Sequence, residues 1–425
     1  MSRKKFSLTW KIAVVVLAAI LSSDALDARK EQTLFSFNGG DGNNPYSGIL
    51  VDASGHLYGT TFYGAKRDFG VVFELTPKSG GGWAEKVLAD GLVHPEAGLT
   101  ADAAGHLYGT SRGYCSDEYC NMGFVFEVKH SGNSWKESII YQFTGSSDGA
   151  TPEAGLILDG SGNLYGTTTA GGYFGGDCYG TGCGTVFELT PNSGGVWTET
   201  VLYSFSGGGD GGAPSTGLTL DASGNLYGTA GGGAYRSGLI FELSPSNGGW
   251  AEQVLYSFGQ GSDGTNPSAN LTLDKAGNIY GTTFFGGGQG TCDIDGSNKF
   301  CGTVFELTPN SGGTWTESLL YRFTGGSDGA EPRTQLVFDD SGNLYGATEY
   351  GGNPKCQTEI GVGCGTVFEL TNSGGSWTKQ VLHGFDGNDG QFPIGDVAFD
   401  KKGNVYGTTG GGGAYKKGVV FEVTP

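Results

Sequence analysis

The residues of this chain best suited to bind or transform a ligand occupy two repeated positions next to recurring prolines. Directly after such a proline stand a tyrosine, two glutamates and an arginine: Tyr46, Glu96, Glu153 and Arg333. Two residues further on, where four units have glycine, three consecutive units have an amide or a carboxylate: Asn270, Gln335 and Asp396. Neighbouring loops add further charged and aromatic side chains: Phe62, Tyr63, Arg112, Tyr114, Tyr173, Phe174, Phe284, Phe285, Glu349 and Tyr350.

Residues of these types suit a sugar ligand. Aromatic rings stack on the CH faces of sugars, while carboxylates and amides hydrogen-bond to their hydroxyls. An arginine among acidic groups would orient an acidic sugar, and without a ligand Arg333 is expected to face a carboxylate such as Asp396 or Glu349. The pattern therefore predicts a binding module for a glycan or another extracellular ligand.

Catalysis and a purely structural role are the alternatives. Glu96 and Glu153 could act as paired carboxylates in a polysaccharide lyase or hydrolase. The sequence contains no motif of a nucleophile elbow, a zinc protease or a phosphate loop that opens a helix. We therefore predict no catalytic residue, and a structural extracellular matrix or surface protein remains the third interpretation.

Eight cysteines form four near-neighbour pairs, each in the same slot of a repeated unit. They are Cys115 with Cys120, Cys178 with Cys183, Cys292 with Cys301, and Cys356 with Cys364. Four loops that each carry two cysteines predict four local disulfides in an oxidising compartment. A zinc site would need additional converging ligands, and these loops contain no histidine. No cofactor or metal is predicted, apart from calcium as an alternative at the Asp-Gly pairs between units. These aspartates are Asp41, Asp148, Asp210, Asp263 and Asp328.

A repeat of 50 to 65 residues organises the chain. The motif Leu-Tyr-Gly-Thr, or a near copy, occurs seven times, with tyrosines at Tyr58, Tyr108, Tyr165, Tyr227, Tyr280, Tyr345 and Tyr406. Each copy precedes a Val-Phe-Glu-Leu segment, and every unit contains turn signals between four short strand patterns. Units of this kind bury their apolar faces against their neighbours, so we predict an all-β, seven-bladed β-propeller with four antiparallel strands per blade. Glutamates and turn aspartates present in every unit are interpreted as structural.

The two ends of the repeat are complementary. The last unit stops after its third strand pattern, at 421–425, and the missing fourth pattern occurs at 33–37. We therefore predict that the N-terminal strand closes the last blade, with an open β-solenoid as the alternative. The loops after each second strand vary most in length, so the face that carries them is the predicted functional face.

The first residues differ from the rest of the chain. Arg3, Lys4 and Lys5 precede an apolar run at 12–21, and small residues follow at 23 and 25. This pattern predicts a signal peptide at 1–25 and a propeller at 26–425, with a retained anchor as the alternative. The run is too short to span a bilayer. The net charge of −19 disfavours nucleic acid and anionic membranes as partners. We expect a secreted monomer, extracellular or periplasmic, without membrane insertion after cleavage.

The segment 162–205 carries the repeat most completely. It reads Gly-Asn-Leu-Tyr-Gly-Thr-Thr, then Gly-Thr-Val-Phe-Glu-Leu-Thr-Pro-Asn-Ser-Gly-Gly, then Trp-Thr-Glu-Thr-Val-Leu-Tyr-Ser-Phe. This motif resembles the GloVer tandem repeat of bacterial secreted proteins, and the likeness covers essentially the whole predicted mature chain. The resemblance implies an exported bacterial repeat protein. It implies no activity and no catalytic residue.

Overall fold

The computed structural model describes residues 30–65, 68–115, 120–132, 134–178, 180–260, 262–288, 301–358 and 361–425. These residues form β-strands, turns and one single-turn 3-10 helix, Gly176–Cys178. The predicted signal peptide at 1–25 lies outside the described residues. Within the described part of the chain, no helix has the length and hydropathy needed to cross a membrane.

Within the described residues, the strands form seven antiparallel blades and two short hairpins, and each blade has an inner, a second, a third and an outer strand. The first strand of the chain, β1 (Lys30–Ser36), belongs to the last sheet. Blade 1 contains β2 (Leu50–Val51), β3 (Leu57–Thr61), β4 (Val71–Pro77) and β5 (Trp83–Asp90). Blade 2 contains β6 (Thr100–Ala101), β7 (Leu107–Ser111), β10 (Phe124–Ser131) and β11 (Ser134–Gln142), with the hairpin β8 (Tyr114–Cys115) and β9 (Cys120–Asn121) between its second and third strands. Blade 3 contains β12 (Ile157–Leu158), β13 (Leu164–Thr168), β14 (Thr185–Pro191) and β15 (Trp197–Ser204).

The remaining blades repeat this order. Blade 4 contains β16 (Thr219–Leu220), β17 (Leu226–Ala230), β18 (Leu239–Ser246) and β19 (Gly249–Ser257). Blade 5 contains β21 (Thr272–Leu273), β22 (Ile279–Phe285), β23 (Thr303–Pro309) and β24 (Trp315–Arg322), and β20 (Thr265–Pro267) also pairs with β22. Blade 6 contains β26 (Val337–Phe338), β27 (Leu344–Tyr350), β30 (Thr366–Ser373) and β31 (Ser376–Gly384), together with β25 (Ala330–Pro332) and the hairpin β28 (Gln357–Thr358) and β29 (Gly361–Val362). Blade 7 contains β32 (Ala398–Phe399), β33 (Val405–Thr409), β34 (Val419–Thr424) and β1.

The N-terminal strand closes the ring, as the sequence predicts. Strand β1 runs antiparallel to β34, with Thr33 opposite Phe421 and Ser36 opposite Val419. The backbone N–H of Phe37 continues the pairing by donating to the carbonyl of Gly418 at 3.1 Å. Contacts between β1 and β5, and between β2 and β32, join blade 7 to blade 1. The structure is therefore a closed seven-bladed propeller, and the open solenoid is excluded.

A glycine and a phenylalanine that face each other across two strands explain the repeated sequence. Gly228 of the second strand lies opposite Phe241 of the third strand, and a Cβ atom at Gly228 would come within 2.6 Å of the phenylalanine ring. The ring is fully buried and receives the edge of Phe205 from the preceding blade, with ring centroids 5.2 Å apart. The same glycine–phenylalanine pair occurs in all seven blades, and the inter-blade ring contact occurs at six junctions. Leu92 takes the place of the outer ring at the junction of blades 1 and 2.

The repeated aspartate and glutamate stabilise the second strand, which confirms their structural interpretation. In blade 3, Asp159 accepts hydrogen bonds from the backbone N–H groups of Ser161 and Asn163, both at 2.8 Å. The hydroxyl of Tyr165 donates to Glu188 at 3.0 Å and lies 3.3 Å from Asp159. Burial and these carboxylates raise the pKa of the Tyr165 hydroxyl, which therefore stays protonated as a donor.

Disulfides are present in the loops where the sequence predicts them. Cys178 is bonded to Cys183, and Cys356 is bonded to Cys364. Cys301 is also disulfide-bonded, while its predicted partner Cys292 lies outside the described residues. Backbone pairing places Cys115 directly opposite Cys120. The side chains of this last pair also lie outside the described residues, so its bond remains a prediction.

The glycine–phenylalanine packing predicts a large effect of a single methyl group. Gly228→Ala should lower the free energy of unfolding by about 1–3 kcal/mol, because the Phe241 ring must move within a closely packed interface. Gly209→Ala is the matched control, since a Cβ atom there meets no heavy atom within 4 Å and its backbone is outside the left-handed region. Urea unfolding of both variants measures the difference. Equal stability of the two variants would contradict the packing account.

Candidate ligand-binding cavity

A cavity of about 1320 Å³ lies at the centre of the ring, where the segments that enter the inner strands converge. Its lining includes residues from every blade and all nine side chains singled out as ligand-binding in the sequence. These are Tyr46, Glu96, Arg112, Glu153, Asn270, Arg333, Gln335, Glu349 and Asp396. Side chains that are scattered along 350 residues of the sequence, from Tyr46 to Asp396, thus line one cavity.

Strand alternation aims these side chains at the cavity. In blade 2, Glu96 and Gly98 are partly exposed, whereas Ala97 between them is buried. The same alternation recurs at the entrance to each inner strand, because successive residues of an extended segment point to opposite sides. The first and third residues after each inter-blade proline therefore form two rings of side chains around the axis. Substitutions at these positions change the cavity and leave the blade core intact.

The residue before each of these prolines has a left-handed backbone, although none of the seven is glycine. Their φ angles lie between 48° and 62°: Asn44, His94, Thr151, Ala213, Asn266, Glu331 and Phe392. This conformation is costly for residues with a Cβ atom, and asparagine tolerates it better than a β-branched residue does. In blade 3 the backbone N–H of Thr151 donates to the carbonyl of Met122 at 2.7 Å, which holds the turn. The repeated turn fixes where the cavity-lining residues begin.

On one wall of the cavity, a guanidinium group lies between two carboxylates of neighbouring blades. Arg112 Nε is 3.0 Å from Glu153 Oε1, and Arg112 Nη1 is 3.9 Å from Glu96 Oε1. About 45% of the arginine side chain is exposed, whereas both glutamates are mostly covered. Burial and the nearby Glu153 raise the pKa of Glu96 to about 7, against the opposing effect of Arg112 and Arg333. Burial also raises the pKa of Glu153. The pKa of Glu96 on this wall therefore lies close to neutral pH.

A second arginine lies on the wall formed by blades 5 and 6. Arg333 Nη1 donates to Glu349 Oε2 at 3.2 Å, and its guanidinium carbon is 5.2 Å from the centre of the Phe284 ring. About 45% of its side chain is exposed, so the guanidinium is accessible from the cavity. Of the two carboxylates considered from the sequence, Glu349 is the one that pairs with it.

Asp396 instead belongs to a hydrogen-bonded network that connects several blades across the cavity. Its carboxylate accepts from the backbone N–H of Gln335 at 2.6 Å and from the side-chain amide of Asn270 at 3.0 Å. Asn270 in turn accepts from the backbone N–H of Gly217 at 2.6 Å. Burial raises the pKa of Asp396 to about 6. These three polar side chains partly fill the channel and form a polar side of the cavity.

The aromatic side chains of the loops next to the predicted binding residues divide into two groups, those that line the cavity and those that do not. Tyr46 and Tyr350 line the cavity. Phe62 is buried and stacks on His94, with ring centroids 4.5 Å apart and an interplanar angle of 5°. Tyr173 is half exposed but does not line the cavity. Fewer aromatic rings than expected from the sequence are therefore available to stack on a sugar in the cavity, because part of this set packs within the loops.

Lys416 lines the cavity as well, and the sequence analysis does not identify it. It lies in the loop between the second and third strands of blade 7, and its side chain is exposed. The signal in the sequence is the pair of lysines at 416 and 417, which is weak because the equivalent loops of blades 1 and 4 also carry basic residues, Lys66, Arg67 and Arg236. This cation adds to the two arginines at the cavity.

The Asp-Gly aspartates proposed as calcium ligands close their own loops. Asp148 accepts from the backbone N–H and the hydroxyl of Thr144, at 2.8 and 2.7 Å, and from the hydroxyl of Tyr141 at 3.2 Å. Asp210 has the same arrangement with Ser206 and Tyr203. These contacts explain the aspartates as turn residues, and calcium at these positions remains an untested alternative.

Fold and cavity together define a seven-bladed propeller with a polar central cavity that contains three cations and four carboxyl groups. The chain belongs to the Gloeobacter/Verrucomicrobia repeat family, whose model matches residues 84–294 and 289–425. This confirms the resemblance that the sequence motif indicates. No curated protein is significantly similar to the chain.

Several solved structures are similar in fold. An ulvan lyase bound to a saccharide has a TM-score of 0.50 at 10% identity, over 92% of this chain and 95% of that chain. A gluconolactonase from Xanthomonas campestris has a TM-score of 0.42 at 14% identity, over 75% of this chain and 86% of that chain. A protein of unknown function from Dyadobacter fermentans has a TM-score of 0.43 at 9% identity, over 94% of this chain and 100% of that chain. At these identities the likeness concerns the propeller fold alone.

The left-handed turns predict that a residue suited to them stabilises the ring. Thr151→Asn should raise the free energy of unfolding by about 1 kcal/mol, because asparagine adopts a positive φ at lower cost than a β-branched residue. The reverse change at the equivalent position of blade 5, Asn266→Thr, should lower it by a similar amount. Thermal unfolding of both variants checks the sign. If both changes shifted the midpoint in the same direction, backbone strain could not be the cause.

Proposed function

We propose that this protein is an exported binding module that holds an anionic saccharide in its central cavity. The observation that carries the proposal is the pair of half-exposed arginines on separate walls of one cavity. Between the wall of blades 2 and 3 and the wall of blades 5 and 6 lie blade 4 on one side of the ring and blades 7 and 1 on the other. Each guanidinium is held by carboxylates of the protein and still has donors free to face the cavity. Two fixed cations at a distance suit a ligand with more than one negative group, such as an oligosaccharide of uronic acids.

The chemistry around each arginine suits a sugar better than a simple anion. A guanidinium forms paired hydrogen bonds with a carboxylate, which gives orientation as well as affinity. The neighbouring Glu96 and Glu153 can accept hydrogen bonds from ring hydroxyls, and the amides of Asn270 and Gln335 extend the polar surface. The Tyr46 ring offers an apolar face for stacking.

The size of the cavity favours an oligosaccharide over a monosaccharide. Pockets for small ligands usually measure about 300–1,000 Å³, and this cavity measures about 1320 Å³. Several sugar units could therefore occupy it at once. Because the chain as a whole is strongly acidic, binding of an anion depends on the local cations of the cavity and not on long-range attraction.

Export is part of the proposal. The two described disulfides support it, because disulfides persist mainly in oxidising compartments. The predicted signal peptide at 1–25 points to the same compartment. Polysaccharides that carry uronic acids are ligands that a protein outside the cytoplasm can meet.

A specific observation favours catalysis as the second candidate function. The pKa of Glu96 is raised to about 7 by burial and by Glu153, which suits a group that exchanges protons at neutral pH. Arg112 would neutralise the carboxylate of a bound uronic acid next to this group. A lyase or a hydrolase that acts on an acidic polysaccharide could use such an arrangement.

Removal of either arginine should weaken binding of an acidic oligosaccharide. Arg112→Ala and Arg333→Ala should each raise the Kd for oligogalacturonate by roughly tenfold or more, as expected for loss of a charged hydrogen bond. Arg236→Ala is the matched control, because this arginine is 87% exposed and lies outside the cavity lining. Calorimetric titration of the three variants with oligogalacturonate and with a neutral oligosaccharide gives the comparison. An unchanged Kd in both cavity variants, or equal affinity for the neutral sugar, would refute the proposal.

Affinity for the acidic sugar should rise as the pH falls. The ionised Glu96 competes with the ligand for Arg112, so protonation of Glu96 removes one of the two carboxylates near this cation and leaves Glu153 as its partner. The uronic acid itself stays ionised over this range, because its pKa is near that of an ordinary carboxyl group. Lowering the pH from 8 to 6 crosses the pKa of Glu96 at about 7 and should lower the Kd several-fold. In Glu96→Gln the Kd should depend less steeply on pH, with a remaining contribution from Glu153 and Asp396. An equally steep dependence in this variant would assign the effect to a group other than Glu96.

Turnover distinguishes the second candidate from the first. A lyase releases products with an unsaturated sugar ring, which are detected by their ultraviolet absorbance. A hydrolase releases new reducing ends, which are detected by a reducing-sugar assay. Incubation with a panel of acidic polysaccharides should give neither product if the protein is a binding module. Product formation by the wild type that Glu96→Gln abolishes, with binding retained, would establish the enzyme. A protein that neither binds nor cleaves any member of the panel would support the structural alternative.

A further inference from the structure

A histidine and two carboxylates meet at the junction of the outer strands of blades 6 and 7. They are His383 in β31, Asp389 in the loop between these blades, and Glu31 in β1. One ligand atom from each lies within 4.8 Å of the other two, and His383 Nε2 is 2.8 Å from Asp389 Oδ2. Within the described residues, this is the one group of three such side chains close enough to share a metal ion.

The repeat shows which of these residues is unusual. In blades 2 to 5 a tyrosine stands at the position of His383 and donates its hydroxyl to the aspartate of the same loop, as Tyr203 does to Asp210 at 3.0 Å. A glutamate at the position of Glu31 recurs in other outer strands, for example as Glu252. The histidine is therefore the substitution that turns a standard junction into a set of nitrogen and oxygen ligands.

The carboxylates at this junction are held in place by their own contacts. Asp389 Oδ1 accepts from the backbone N–H of Asp386 at 2.8 Å, which leaves Oδ2 directed toward the imidazole. Thr33 Oγ1 lies 3.3 Å from Glu31 Oε1 and 3.4 Å from the carbonyl oxygen of Asp389, so it links the closing strand to the loop. All three candidate ligands are partly buried. Hydrogen bonds of this kind, made by a carboxylate in addition to its metal contact, orient the carboxylate toward a metal ion.

The equivalent junction of blades 5 and 6 carries a cation of the protein. Lys379 stands there in place of the glutamate, and its ammonium group donates to the backbone carbonyl of Asp328. The same group lies 5.2 Å from the centre of the Phe323 ring. Burial lowers the pKa of Lys379 to about 8. A backbone carbonyl oxygen and an aromatic ring thus hold an ammonium group at this neighbouring junction, although burial opposes its positive charge.

We propose that Glu31, His383 and Asp389 bind a divalent first-row transition metal such as Zn²⁺. One imidazole nitrogen and two carboxylate oxygens favour such a metal over calcium or magnesium, which prefer oxygen ligands alone. The ligands come from both ends of the chain, so the ion fastens the closing strand β1 to the preceding blade. Metal binding therefore stabilises the closed ring, because the unfolded chain lacks the site.

The test uses untagged protein freed of metal with a chelator and titrated with Zn²⁺ by calorimetry. The wild type should bind one equivalent and unfold at a higher temperature with Zn²⁺ than in chelator. His383→Tyr introduces the residue of blades 2 to 5, so it should fold normally, and it should raise the Kd by roughly tenfold or more. Substitution of Co²⁺ should give a visible absorption band in the wild type that this variant lacks.

Two further variants use the repeat as an internal control. His106→Asn removes another histidine near carboxylates, 2.9 Å from Asp102, and replaces it with the asparagine of other blades. It should leave the affinity unchanged. Tyr203→His should add a second equivalent of bound Zn²⁺, since Asp210 and Glu252 stand where Asp389 and Glu31 do. The proposal is overturned if the wild type binds no Zn²⁺, if His383→Tyr binds it as tightly as the wild type, or if Tyr203→His gains no site.

Discussion

The contact between a second-strand glycine and a third-strand phenylalanine is the constraint on which this propeller depends. The absence of a side chain at Gly228 lets the Phe241 ring lie across the neighbouring strand, and the outer ring of the preceding blade then meets it edge to face. Aromatic pairs in this geometry add stability beyond the area that they bury. Because the glycine–phenylalanine contact is repeated in each blade, all seven blades pack their second and third strands in the same way. Blade 7 can complete the ring only when β1 supplies its fourth strand.

The repeat distinguishes positions that have the same residue in nearly every blade from positions whose residue varies between blades. The phenylalanines, the glycines and the tyrosine–aspartate–glutamate contacts occupy the blades and are nearly identical from unit to unit. The cavity-lining positions after each left-handed turn recur in every blade, yet their side chains differ from blade to blade. Glu96, Glu153 and Arg333 thus occupy one structural position in three blades with three different surroundings. Function in such a molecule arises from differences between equivalent positions.

Much of this organisation could be predicted from the sequence, because it is encoded locally and repeated. The spacing of the tyrosine and phenylalanine motifs predicts the blades, and the broken repeat predicts the pairing of β1 with β34. The recurring positions after the inter-blade prolines group side chains that line one cavity in the structure. Each of these inferences needs only a comparison of equivalent positions between units of the sequence.

The sequence could not predict contacts that depend on the relative positions of different blades. Arg112 lies between Glu96 and Glu153 because blades 2 and 3 are neighbours at a particular tilt. The hydrogen bond between Asn270 and Asp396 spans the channel, and nothing in either unit specifies its length. The approach of Glu31 to His383 requires the ring to be closed. The left-handed backbone before each proline is also hidden, because residues as different as Thr151 and Phe392 adopt it.

The account of the cavity is tested most directly by a crystal structure of the protein with a bound oligogalacturonate. The account predicts that the sugar lies inside the central cavity, with carboxylates facing both Arg112 and Arg333 and a ring face against Tyr46. Carboxylates paired with only one arginine would require the two-site description to be revised. A sugar bound on the outer rim of the blades, with the cavity containing only solvent, would contradict it.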